Sequence, residues 1–362
     1  MQQQTKCLPS AEGGKIMIRR PFALFALSIF VLSTIAQAQH GLSTTSPTGQ
    51  SVIDGVKIWN RGGISLGHTP ADLLALLPDA QEIPGYTVVA REYRGQEDPG
   101  TFAWAAPFGH TWIVLNQGKT TMWSNTHDTL HCKIERIWFP LERAQAYLSR
   151  EIPTYADLTR SGKIHAQIAV YIQPIQETFE SVQRQSSAIL QRGTPSGKPL
   201  GDEAWYIRTP QGGGNLCFLY DKAQVDVSAE NLATAEAVAQ CILYRLIVHP
   251  KRVVTQPPLP SVLVEGKPFT PRGIASLNGV VVVPVSALAP FGVTAETLRT
   301  PELWTITLRR GSLWFRLQAF RWEADSSVGR VKLLRAAFPY DGDLVVPLRQ
   351  VAEALGLTVQ AQ

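Results

Sequence analysis

The chain has 362 residues, with 34 Lys and Arg against 29 Asp and Glu, a formal net charge of +5. Residues 1–38 hold four of those bases (Lys6, Lys15, Arg19, Arg20) and one acid (Glu12), which leaves 30 against 28 and a net +2 elsewhere. With no basic stripe and no nucleic-acid motif, that balance argues against a nucleic-acid partner.

Arg19-Arg20 precede an apolar run from Phe22 to Leu32, and Ala36-Gln37-Ala38 follows. A basic n-region, a short h-region and an A-x-A site are the three parts of a secretory signal peptide. The run is shorter than the roughly 20 residues of a bilayer-crossing helix, so cleavage is expected in place of an uncleaved membrane anchor. Residues 1–16 are polar and glycine-containing, and Met17 reads as the true start of this signal. The expected product is extracytoplasmic: secreted, periplasmic or at the cell surface. Cys7 lies outside the mature chain, leaving Cys132, Cys217 and Cys241, which allow one bridge in three pairings. Cys217 reads as mid-strand and Cys241 as mid-helix, so both are expected as small buried hydrophobes with no essential disulfide.

Residues 39–50 are rich in Ser, Thr, Gly and Pro and read as a flexible exit. Leu73, Leu74 and Leu77 fall at helical spacing before the turn Ile83-Pro84-Gly85. Strands are predicted over 111–115 and 133–138, then a helix over 141–152, a strand over 165–172 and an amphipathic helix over 175–190. Three short strands follow at 204–208, 215–220 and 224–227, separated by Gly212-Gly213-Gly214 and by Asp221-Lys222. In the run 232–248, Leu232, Ala235, Ala239, Ile242 and Leu246 line one helical face. A proline-rich stretch over 249–260 breaks the pattern and sets a boundary. The expected fold class is α+β. Residues 51–248 form a mostly antiparallel sheet with packed helices, and 261–362 a smaller two-half α+β domain.

The second domain carries a doubled motif. Gly279-Val280-Val281-Val282-Val283-Pro284-Val285 is echoed by Gly342-Asp343-Leu344-Val345-Val346-Pro347-Leu348. Strand is expected to pass to helix at each proline, which lacks an N–H and is preset for a helix start. In the second copy Leu348, Val351, Ala352 and Leu355 share a face, and Gly356 supplies a left-handed stop. Between the copies, Arg309-Arg310-Gly311 reads as the tip of a hairpin.

The segment from Val346 through Pro347-Leu348-Arg349 to Ala354-Leu355-Gly356 resembles the hallmark of the copper amine oxidase-like N-terminal domain, a stalk-type domain of exported bacterial proteins. The first copy, from Val283-Pro284 to Gly292, lacks the arginine, is one residue shorter and places Pro290 within the helix. The resemblance runs from about Ser261 to the end and implies a scaffold without chemistry of its own. In copper amine oxidases the catalytic quinone arises from a tyrosine in an Asn-Tyr context. No Asn-Tyr dipeptide occurs here, so amine oxidation is not expected.

Candidate chemistry is sparse. His127, Asp128, His131 and Cys132 form the densest group of potential ligands, but the flanks do not read as a helix and no third ligand is marked. A solvated loop is the expectation there; a secreted hydrolase using His127, Asp128 and His131 as metal or acid–base groups is the alternative. The glycine runs 193–199 and 212–214 lack the Lys-Ser/Thr of a phosphate loop and read as turns. Asp202 and Glu203 are adjacent, so a strand points them to opposite faces. Trp104, Phe108, Trp112, Trp123 and Trp138 crowd one region, and Trp304, Trp314, Phe315, Phe320 and Trp322 another. Such residues fill sheet cores or, when exposed, stack on sugars and partners; Trp104, Trp112 and Trp123 are the candidate ligand-binding residues. The resulting expectation is an exported, non-catalytic protein, with no cofactor and no metal site. Its partner would be an envelope or cell-wall component or another exported protein.

Overall fold

The computed structural model describes residues 50–53, 56–61, 75–79, 81–87, 105–106, 109–116, 130–142, 163–171, 179–186, 189–250, 254–255 and 257–361. The expected signal peptide lies outside them. Eleven strands make the first sheet. They are β1 (Gln50–Ile53), β2 (Val56–Arg61), β3 (Tyr86–Thr87), β4 (Ala105–Ala106), β5 (Gly109–Asn116) and β6 (Leu130–Pro140), then β7 (Ile164–Tyr171), β8 (Gln191–Arg192), β9 (Glu203–Arg208), β10 (Gly214–Tyr220) and β11 (Ala223–Ala229). Their order is β1-β2-β5-β6-β7-β11-β10-β9-β8, with β3 on β6 and β4 on β5. Among these pairings β2 with β5 is parallel; the long central pairs are antiparallel.

Period-two alternation explains the two faces. Ile164, Ala166, Ile168 and Val170 of β7, with Val225 and Val227 of β11 and Leu216 and Phe218 of β10, enter the main core. Trp205, Cys217 and Leu219 join a smaller cluster with Leu190 and with Val182 of α1 (Phe179–Gln185). Cys217 thus sits mid-strand as a small apolar side chain, as its neighbours in sequence imply.

Helix α2 (Leu232–Val248) lies on the main core face. Asn231 caps it from an extended conformation, accepting a hydrogen bond from Thr234 N at 2.9 Å. Fourteen of its residues are buried, Glu236, Gln240 and Arg245 among them, so it is covered on every side. A helix buried all round needs a second layer across it. Residues 261–361 supply that layer.

They begin with β12 (Val262–Val264), β13 (Lys267–Pro268), β14 (Ala275–Leu277), β15 (Val280–Pro284) and a 3-10 helix, η1 (Val285–Phe291). A meander follows: β16 (Thr294–Arg299), β17 (Trp304–Arg310), β18 (Leu313–Gln318), β19 (Glu323–Ser326) and β20 (Gly329–Lys332). The chain closes with β21 (Phe338–Tyr340), β22 (Asp343–Pro347), α3 (Leu348–Ala354) and β23 (Val359–Ala361), which pairs with β12.

The two copies of the doubled motif meet at the centre of the four-stranded sheet β14-β15-β22-β21. Val283 pairs with Val346, Val282 with Pro347 and Pro284 with Val345, so equivalent residues face each other across a local two-fold. Each inner strand is fed by a two-residue turn with both residues left-handed: Asn278-Gly279 (φ 48 and 84) and Asp341-Gly342 (φ 50 and 79). That is the hairpin geometry Asn-Gly and Asp-Gly favour.

The helices differ. Pro290 lies inside η1, where a missing N–H and the ring's clash disfavour α-helix, and the turn tightens to 3-10. In the second copy Leu357 N donates to Ala352 O and Gly356 N to Glu353 O, both at 2.9 Å, with Gly356 at φ 71. This is a Schellman stop. Sheet predominates, with twenty-three strands against three α-helices and one 3-10 helix among the described residues, so the α+β expectation holds only in a strand-rich form.

Candidate functional surfaces

Polar groups gather at two places, a seam along α2 and the outer face of the meander. Along the seam, Glu236 and Gln240 lie one turn apart and share a helix face. The Glu236 carboxylate accepts from Ser196 N at 3.0 Å and from the Ser196 hydroxyl, which pins the turn 193–199 to the helix. Burial pushes its pKa up, against the lowering effect of the Ser196 and Thr194 hydrogen bonds and of the nearby Arg335 charge.

Arg335 is 1% exposed. Its Nη2 donates to Pro199 O at 2.8 Å and Leu277 O at 2.9 Å, joining the first sheet's loop to β14. Beside it, Gln240 Oε1 accepts from Ala336 N at 3.2 Å. Asn278 adds a reciprocal pair, donating to Gly201 O at 2.7 Å and accepting from Gly201 N at 3.0 Å.

The other end of α2 carries Arg245. Its guanidinium donates to Ala75 O at 3.0 Å, Leu77 O at 3.3 Å, Pro339 O at 3.2 Å and the Glu82 carboxylate at 2.6 Å. It also lies 5.5 Å from the Tyr340 ring centroid. Three stretches of chain are thereby held by one side chain. Arg136 reinforces the first of them, donating to Pro78 O at 2.5 Å. Tyr244, one residue before Arg245, donates to Gly273 O at 2.6 Å and packs its ring on Phe338 and Tyr340. Cys241 is fully buried next to Arg245, and burial raises its thiol to about 11, which leaves it protonated and unreactive at neutral pH.

The residues singled out from sequence fare unevenly. Trp104, Trp123, His127 and Asp128 lie outside the described residues. Trp112 stands in β5 with its backbone opposite Glu135, and Glu135 in turn opposite Gln167 of β7. His131 stands in β6 and not in a loop, at a bulge where the register with β7 shifts between Leu130 and Cys132. The loop expectation fails there because the strand runs three residues further back than the apolar pattern from Lys133 suggests.

The Gly212-Gly213-Gly214 turn is a place of close approach. A Cβ on Gly214 would come within 1.9 Å of Ile207 O, so crowding against β9 demands glycine. Asp202 and Glu203 do diverge, the first accepting from Asp221 N at 2.7 Å and the second from Phe179 N at 2.8 Å. Sequence reasoning missed Glu236, Gln240, Arg245 and Arg335. A charged residue within an otherwise apolar helical run, as Glu236 and Arg245 are, was the one available hint.

On the meander, Trp304, Phe315 and Phe320 are core residues. Trp322 is half-buried and donates from its indole to Ala233 O at 3.1 Å, docking on the start of α2. Trp138, in the first sheet, is fully buried. Trp314 alone of the named C-terminal aromatics stands on the solvent face, half-buried between exposed Arg309 and Arg316. No protein-family model and no curated protein sequence matches the chain.

Proposed function

We propose that this is an exported, non-catalytic bacterial envelope protein in which an α+β binding or sensing unit is carried with a stalk-type module of the copper amine oxidase-like N-terminal kind. Within that reading, residues 1–38 direct export and are removed. The doubled Val-Pro scaffold holds the larger sheet through α2, and the partner is an envelope component or another exported protein.

The observation that carries the reading is the pairing of Val283 with Val346, which sets the two motif copies around one local axis. A duplicated strand–turn–strand–helix unit whose polar groups are spent on bonding its own layers suits support and presentation. Each buried charge named on α2 serves to join layers.

Cell fractionation with mass-spectrometric mapping of the N-terminus tests it. The expected result is a processed chain beginning at Gln39 outside the cytoplasm. An unprocessed chain confined to the cytosol would refute it.

A further inference from the structure

The doubled motif accounts for the four-stranded sheet and the two helices, but the meander β16–β20 is inserted between η1 and β21 and belongs to neither copy. Its inner face is core: Trp304, Ile306, Leu308, Phe315, Leu317 and Ala324. The register then sets the outer face. Trp314 pairs with Arg309, Arg316 with Thr307 on one side and Asp325 on the other, and Gln318 with Thr305.

Charge on that face is unevenly spent. Glu323 and Asp325 both hold Arg330, at 3.5 and 3.4 Å, and Glu296 lies 3.9 Å from Arg309. The Arg316 guanidinium lies 5.9 Å from the Trp314 ring centroid. Its Nε donates to Thr307 Oγ1 at 3.4 Å, and it makes no ion pair among the described residues. The centre of the face is therefore an indole beside a guanidinium with donors to spare, bordered by Thr305, Thr307 and Gln318 on one side and on the other by Asp325, whose carboxylate is held by Arg330.

We propose that this face, centred on Trp314 and Arg316, binds a carboxylate-bearing polysaccharide. The proposal rests on the exported reading above and names the class of envelope component that reading leaves open. The indole offers an apolar plane to the C–H face of a sugar ring. Arg316 takes the sugar's carboxylate through two parallel hydrogen bonds, the geometry a guanidinium fork favours. Thr305 and Gln318 meet hydroxyls. An open sheet face suits an extended polymer that touches it at successive rings.

The test is titration of the purified full chain with polygalacturonate, with neutral dextran and dextran sulfate as comparisons. Expected is binding to polygalacturonate that weakens with salt and falls about tenfold or more in Trp314→Ala and in Arg316→Gln. Arg349→Ala, which removes one positive charge on α3 away from the face, is expected to bind as the parent does. Both site residues are solvent-facing, and Trp314→Phe keeps an aromatic plane, so retained binding in Trp314→Phe with unchanged melting separates loss of contact from loss of fold. No binding to polygalacturonate overturns the proposal. So does equal binding of dextran, or binding of dextran sulfate and polygalacturonate alike with Trp314→Ala unaffected. A cytosolic chain would undo the exported reading without touching this binding result, and failure to bind would leave that reading standing.

Discussion

Arg245 bonds to segments some 170 residues before it and 94 after it in the sequence, at Ala75 and Pro339. Both Arg245 and Glu82 are close to nine-tenths buried, so removing the guanidinium strands a carboxylate and three carbonyls in a dry interior. Arg245→Ala is expected to cost about 3–5 kcal/mol, the usual penalty for breaking a buried pair, and urea unfolding will measure it. Glu236 makes a prediction in pH. Its folded-state pKa is raised, so its stabilising contribution is full below the unfolded carboxyl range and is lost as pH rises through the folded value. Urea midpoints of the parent relative to Glu236→Gln should therefore fall from acid toward neutral pH; a parallel pair of profiles would contradict this. Neither residue was legible beforehand. A charge in a helical run reads as a solvated face until the layer that covers it is known, and that layer lies about a hundred residues downstream.

At the scale of elements, local patterns carried much further. Alternation and turn residues placed the strands at 204–208, 215–220 and 224–227 within a residue or two of β9, β10 and β11, and helix 232–248 matched at both ends. The helix has strong end signals, Asn231 at its start and Pro250 beyond its last turn. The doubled motif was equally legible, because Asn-Gly and Asp-Gly favour one turn and each Val-Pro ends a strand, although the helices that follow differ. Its consequence, that the copies pair with each other, was not, since strand partners depend on long-range packing. Two glycines separate backbone strain from crowding. Gly279→Ala meets open space and pays only for φ 84, about 1 kcal/mol. Gly214→Ala would force β9 and β10 apart, and is expected to abolish the cooperative melt that Gly279→Ala merely lowers. Thermal unfolding of the two variants side by side decides between these mechanisms.

Across the whole molecule, one apolar core runs from Trp138 and Ile168 through Val238 and Leu243 of α2 to Val283, Val346 and Leu355. Burying a side chain such as Leu243 contributes about 1.5–3 kcal/mol. On α2 such gains accrue to both layers at once, and Tyr244, Arg245, Gln240 and Arg335 bond across the junction. The C-terminal module is thus held as a rigid continuation of the sheet, and the face bearing Trp314 has a fixed bearing on it. Native-state hydrogen exchange tests this account most directly, by comparing amides of β10 and β11, of α2, and of β15 and β22. The prediction is one common opening free energy for all three groups, lowered together by Arg245→Ala. Two separate values, with β15 and β22 unmoved by that substitution, would contradict it.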